Sequence, residues 1–234
     1  MSEIHFQSDG YRISGNLFVP ENTASKGAFL FIQGWTGNQN TRAAQAVTEL
    51  GYTTMTYDMR GNKTSEGNIE DFSRADFIKD AEVAYDYLRQ QVGEKALIGV
   101  VGSSFGGYTA AILSSTRPVH CLSLRVPANY PDERHRDPHA AQMGPALHEW
   151  RAKVLGADAS MALRAIHQFT GKVQIIEAGA DAIVASQTPQ NYAHAIADKS
   201  LLKYEIMPDA PHGLDTDDLA RDYTDRLTTW IKNL

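Results

Sequence analysis

Six residues, Gly102-Ser103-Ser104-Phe105-Gly106-Gly107, constrain this chain more than any other stretch. An apolar, strand-type run (96–101) leads into them and an Ala-rich, helix-favouring segment (108–113) leads out. The hexapeptide fits G-x-S-x-G with Ser104 at its centre. A serine on a sharp strand-to-helix turn points its hydroxyl out above the sheet. Gly102 and Gly106 leave room where side chains would collide. The free N–H groups at the start of the new helix face the same spot. Ser104 is therefore a candidate nucleophile. The rest of the chain must then supply a base, a carboxylate and donors for an oxyanion.

A length of 234 residues fits one well-buried domain with at most a small insert. With 22 Lys and Arg against 28 Asp and Glu, the net charge is −6. That argues against nucleic acid and anionic membranes as partners, since either requires a basic patch. The single cysteine, Cys121, has no internal disulfide partner and sits in an apolar run, so it reads as a buried, reduced thiol. The N-terminus shows no basic segment followed by an apolar stretch, and no run is long enough to span a bilayer. Cytoplasm is the expected compartment.

Periodicity and turn signals divide the chain into alternating elements. Alternating segments at 3–7 and 11–19 flank Ser8-Asp9-Gly10 and predict an antiparallel hairpin. A loop follows over Pro20 and 22–26. Strands are expected at 27–32, 52–57, 96–101, 119–126, 172–176 and 201–207. Helices are expected at 41–50, 73–91, from the Ser104 turn to about 115, in part of 150–169, at 185–198 with a start no later than just past Pro189, and at 216–234. The stretch 127–149 breaks the rhythm. The pattern predicts an α/β fold with a mostly parallel central sheet, an N-terminal antiparallel hairpin and helices on both faces.

Position selects the partners of Ser104. In open α/β sheets the reacting groups lie in loops at the carboxyl ends of the strands. Of eight histidines, His212 follows the last strand, in Pro211-His212-Gly213. His5, His120 and His194 fall within elements and read as structural or surface residues. The base needs a carboxylate to fix its tautomer. Asp181 follows the penultimate expected strand, and Glu177, nearer that strand, is its rival. Asp58 reads as structural. For the oxyanion, Phe105 offers the N–H after the nucleophile. Trp35, in the loop after the 27–32 strand, offers the second, and its indole suits an apolar pocket wall. Trp35, Arg125 and Tyr130 are the expected substrate-binding residues. For Arg125, contact with an anionic group of the substrate and pairing with a nearby Asp stand even.

These motifs together resemble the α/β-hydrolase superfamily, in its compact bacterial serine esterase and acyl-peptidase-like form. Gln33-Gly34-Trp35-Thr36-Gly37 is similar to that family's His-Gly-aromatic oxyanion loop. Asp58-Met59-Arg60-Gly61, with Ser65 and Gly67, is similar to its Asp-x-Arg-Gly loop. The motifs span most of the chain in the family's order, Ser104, Asp181, His212. The resemblance implies an α/β-hydrolase fold, a catalytic triad and no cofactor. There are departures. Gln33 stands where the family has histidine, Lys63 where its loop has a second glycine, and Glu177-Ala178 where a His-Gly pair often precedes the acid. Residues 127–167 lie where the family inserts a cap, and they are expected to choose the substrate. Within them His135, Asp137 and His139 form His-x-Asp-x-His, read here as a solvated loop rather than a metal site.

The expected activity is hydrolysis of a small carboxylic ester through an acyl-enzyme, with a small-molecule acyl substrate and no metal. Amide, peptide or thioester hydrolysis is the alternative, since 104–108 also resembles prolyl-oligopeptidase-like peptidases. A non-catalytic ligand-binding protein of the same fold is the alternative of another class.

Overall fold

The computed structural model describes residues 1–21 and 24–234. Asn22 and Thr23 of the loop expected at 20–26 lie outside the described residues. Strands β1 (Ser2–Ser8) and β2 (Tyr11–Phe18) form the expected hairpin. Asp9 and Gly10 turn it with φ of 49° and 85°, the left-handed pair that a two-residue hairpin loop requires. Six further strands follow: β3 (Ala28–Ile32), β4 (Thr53–Tyr57), β5 (Ile98–Ser103), β6 (Cys121–Arg125), β7 (Lys172–Ala178) and β8 (Leu202–Met207). They assemble into one sheet in the order β1-β2-β4-β3-β5-β6-β7-β8. The β1–β2 and β2–β4 pairs are antiparallel, and every later pair is parallel.

Among the described residues there are seven helices, six between strands and α7 after the last: α1 (Thr41–Glu49), α2 (Arg74–Val92), α3 (Phe105–Thr116), α4 (Pro145–Arg151), α5 (Met161–Gln168), α6 (Gln187–Ala195) and α7 (Asp217–Lys232). They cover both faces of the sheet. Neighbours on a strand point to opposite faces, so the continuous apolar runs feed two cores. Leu30, Val100 and Leu124 face one core with Phe77, Tyr108 and Leu163 from α2, α3 and α5. Phe31, Val101 and Ile176 face the other with Val47 from α1 and Leu227 and Trp230 from α7. Each such fully buried side chain contributes about 1.5–3 kcal/mol. Cys121 is buried in the second core, and burial pushes its thiol up to about 12.

Three local results sharpen or correct the sequence reading. Helix α6 begins at Gln187, within the expected 185–198 span and before Pro189, which decides between the two starts left open. In the first turn a backbone N–H has no intrahelical acceptor, so proline gives up nothing there. Helix α4 begins inside the stretch read as arrhythmic and runs two residues past it, started by Pro145 at its first position. Lys63 takes φ of 48°, so the loop keeps the left-handed turn that glycine supplies in the resembling family. Among the described residues no helix is long and apolar enough to cross a membrane.

Candidate active site

The parallel strands end in register. Ile32 pairs with Gly102, Ser103 with Arg125, Arg125 with Ile176, and Ala178 with Met207. The loops carrying Trp35, Ser104, Asp181 and His212 therefore leave the sheet along one edge.

Ser104 sits between β5 and α3 with φ 55° and ψ −117°. The strain is held by hydrogen bonds on both sides. Its N–H donates to the Arg125 carbonyl (2.9 Å), and its own carbonyl accepts from Gly107, Tyr108 and Ala128. The turn closes only because its glycines lack side chains. A Cβ on Gly102 would overlap the Gly106 carbonyl, and one on Gly106 would overlap the carbonyls of Ile32 and Gln33. Val126, just past β6, also takes a positive φ, 41°, which is costly for a β-branched residue. Backbone strain thus concentrates beside the candidate nucleophile.

The three residues expected to act together are hydrogen-bonded in series. His212 Nε2 lies 2.9 Å from Ser104 Oγ, and its Nδ1 lies 2.7 Å from Asp181 Oδ2. With the proton on Nδ1, His212 donates to the carboxylate and Nε2 accepts from the serine hydroxyl. The other oxygen of Asp181 accepts from the N–H groups of Ile183 and Val184, both at 2.8 Å. Burial by itself raises the Asp181 carboxyl, but the bonds from His212 and those two N–H groups outweigh it and hold the carboxyl below its ordinary range. Glu177 is buried and turned elsewhere, accepting from the Tyr204 hydroxyl. Asp58 is likewise buried and tied to its own loop by Thr64 and Ser65.

Gly34 brings the β3 loop against the elbow: a Cβ on it would lie 3.4 Å from the Ser104 Cβ. Phe105 opens α3, so its N–H has no carbonyl one turn back. Among the described residues the Trp35 N–H makes no backbone bond, while Gly37 closes the turn onto the Gly34 carbonyl. The two loops that meet at Ser104 thus each carry an N–H with no backbone partner among the described residues.

A cavity of about 420 Å³ opens beside Ser104 and His212. Trp35 and Arg125, two of the three residues expected to bind substrate, line it. Tyr130 does not. It is 3% exposed and packs edge-on against Phe105 and Tyr108, with the Arg151 guanidinium 4.4 Å from its ring centroid. Its aromatic surface is consumed by the core. None of the cavity lining comes from 127–167, the segment expected to choose the substrate. The walls come instead from the β3–α1 loop and from α7. Arg125 pairs with no Asp: its Nε donates to Ser103 Oγ (3.1 Å) and its Nη1 to the His212 carbonyl (2.8 Å).

The segment 127–167 supports the opposite side of the site. His139, expected in a solvated loop, is wholly buried. Its ring lies 4.7 Å from Phe105, 4.9 Å from Trp35 and 5.0 Å from Tyr130, and neither nitrogen has a hydrogen-bond partner among the described residues. Burial, with Arg74 and Arg151 adding to it, pushes its pKa down to about 3. Among the described residues no group of three or more His, Cys, Asp or Glu is gathered as a metal set. The residue that the sequence reading missed is Gln33. It lines the cavity at 5% exposure, and both ends of its amide lack partners. Its place at the family's histidine position was the available signal.

A family model described as alpha/beta hydrolase fold matches residues 27–153. No curated protein sequence matches the chain significantly. Among solved structures, Est1E from Butyrivibrio proteoclasticus, described with ferulic acid bound, superposes with a TM-score of 0.75 at 18% identity, covering 98% of each chain. An alpha-beta serine hydrolase homologue from Coxiella burnetii gives 0.72 at 15% identity, covering 100% of this chain and 97% of that one. The esterase domain of a Rhodothermus marinus protein gives 0.71 at 19% identity, covering 99% and 98%.

Proposed function

The chain belongs to the alpha/beta hydrolase family, and from that premise we propose that it is a serine hydrolase that cleaves a small carboxylic ester through an acyl-enzyme. The observation that carries this reading is the series Asp181–His212–Ser104, bonded at 2.7 and 2.9 Å at the mouth of a cavity. The cavity's volume suits a small-molecule substrate. An esterase domain among the similar structures, and ferulic acid in another, favour an ester over an amide.

In this mechanism Ser104 Oγ attacks the acyl carbon while His212 Nε2 takes its proton. Asp181 stabilises the imidazolium that forms. The carbonyl oxygen, now an oxyanion, moves toward the N–H groups of Phe105 and Trp35. Loss of one such donor typically costs about 3 kcal/mol of transition-state stabilisation. The carbon–oxygen bond to the leaving group breaks, and His212 returns the proton to the departing alkoxide. Water then attacks the acyl-enzyme, His212 takes its proton, and Ser104 is regenerated. No step calls on a metal or an organic cofactor. In our reading residues 1–234 form a single domain, and the insert 127–167 braces Trp35 and Phe105 through His139.

A fluorophosphonate probe tests the reading directly. Wild-type protein is expected to be labelled and Ser104→Ala is not. Matched ester, thioester and amide substrates then rank the leaving groups, with the ester turned over fastest. A wild-type protein that refuses the probe would favour the non-catalytic binding protein.

A further inference from the structure

The cavity beside Ser104 holds an unanswered positive charge. Of the four buried arginines, Arg60 meets the Asp80 carboxylate, Arg74 donates to three oxygens, and Arg151 lies over the Tyr130 ring. Arg125 alone of the four lines the cavity. It is 7% exposed, and among the described residues it makes no ion pair. A guanidinium carries five N–H donors and stays charged in a protein. Only two are used here, on the Ser103 hydroxyl and the His212 carbonyl. The Tyr223 ring, 5.8 Å below, is its other neighbour. Burial pulls the Arg125 guanidinium down from its ordinary value, partly offset by Tyr223, Asp181 and Asp215. A buried charge of this kind is expensive unless something pairs with it.

The nearby carboxylates do not fill that role. Asp181 is committed to His212 and two backbone N–H groups. Asp215 borders the cavity but is exposed to water. Gln33 supplies the independent observation: it is nine-tenths buried, it lines the same cavity, and its amide is unpartnered at both ends. In a folded core such an amide is rare unless a ligand or water completes it. Phe31 and Gln33 lie on one face of the extended chain, so this amide shares the α1/α7 side of the sheet with Arg125 and Tyr223.

We infer that Arg125 and Gln33 form an anion subsite, and that the substrate is an ester bearing a carboxylate on its acyl chain or its leaving group. The guanidinium's free donors take one carboxylate oxygen, and the Gln33 amide, whose nitrogen is closed to solvent here, turns its Nε2 to the other. The inference rests on the hydrolase reading for its link to turnover, but not for the binding itself. Charge-assisted hydrogen bonds favour carboxylate recognition over a neutral isostere.

Two matched pairs test it: the mono-4-nitrophenyl ester of adipic acid against its methyl-capped form, and 4-acetoxybenzoate against its methyl ester. The quantity read is the ratio of kcat/KM within each pair, because Arg125 also holds the His212 carbonyl and its loss lowers every rate. In the wild type, one carboxylate-bearing member is expected to exceed its neutral partner by about tenfold or more. Arg125→Gln brings that ratio to about one. Gln33→Glu, which sets a carboxylate against Arg125 and does not depend on Arg125→Gln folding, abolishes or reverses it. A wild-type ratio of one or less in both pairs, or a preference that survives both variants, overturns the subsite while leaving the hydrolase intact. If no ester turns over, the hydrolase reading fails separately, and calorimetric titration of methyl hydrogen adipate into Ser104→Ala protein decides the subsite. Saturable binding lost on adding Arg125→Gln sustains it, and no binding overturns it.

Discussion

Asp181 and Glu177 lie four positions apart, and the fold gives them opposite fates. Asp181 faces His212 and accepts three hydrogen bonds, while Glu177 turns to Tyr204. Asp181→Asn keeps the side chain's size but replaces one acceptor oxygen with a donor, which favours the wrong histidine tautomer. The expected loss in kcat is on the order of 10⁴-fold, with the fold retained by circular dichroism. Glu177→Gln is expected to stay within a few-fold of wild type; if it is the damaging change, the acid has been misassigned. The same pair carries a pH signature. Because the folded carboxyl of Asp181 is held low, its stabilisation is present above the ordinary carboxylate range and is lost as pH falls through the lowered value. The stability gap between wild type and Asp181→Asn should therefore be constant through neutral pH and close only in acid. Sequence position alone favoured Asp181 over Glu177, since a reacting group belongs in the loop beyond the strand. It did not reveal that Glu177 already had a partner, because Tyr204 lies on the neighbouring strand.

At the scale of elements, the β5–α3 turn and the β3 loop are one mechanical unit. The Cα of Gly106 backs directly onto the carbonyls that end β3. Two effects oppose each other at this position. Alanine is the better helix former by up to about 1 kcal/mol. Its methyl group, however, would enter space already filled by backbone, which cannot rotate away as a side chain can. Overpacking of this kind costs about 1–3 kcal/mol, so Gly106→Ala is expected to lower stability in urea denaturation. Activity should fall further than stability requires, since the displaced segment carries the Trp35 N–H. A gain in stability with full activity would refute the coupling. This contact was half legible. The G-x-S-x-G spacing announced a crowded turn, but not that β3 would be the crowding partner. The left-handed Lys63 was illegible for a related reason. The surrounding loop holds Lys63 in the conformation glycine adopts freely, and proline is neutral in a helix's first turn, so it left the start of α6 open. Local residue type therefore misled at Lys63 and was silent at Pro189.

At the scale of the whole molecule, the mostly parallel sheet and the strand-end loops followed from alternation, whereas the strand order and the cavity wall did not. Which helices border a cavity depends on how α1 and α7 pack across the sheet, and no periodicity in either segment carries that information. The insert 127–167 was the natural guess for the substrate wall, yet it fills the other side with His139 at its centre. That burial has a global consequence. The folded protein holds His139 neutral down to about pH 3, against an ordinary value of 6.5. The unfolded chain protonates it at the ordinary value, so between those limits the unfolded state binds more protons. Stability must then fall as pH drops from 6.5 toward 3, by about 2 kcal/mol between pH 6.5 and 5 from this residue alone. Buried carboxyls titrate too. Burial raises Asp80, for example, which gives the opposite slope. His139→Phe isolates the histidine, because every other group is common to both proteins and phenylalanine retains the ring packing against Trp35 and Phe105. Urea midpoints at pH 7 and pH 5 should separate widely for the wild type and much less for His139→Phe. Equal acid losses in the two proteins would show that His139 reaches a proton while folded, and that the packing behind the β3 loop is open to water.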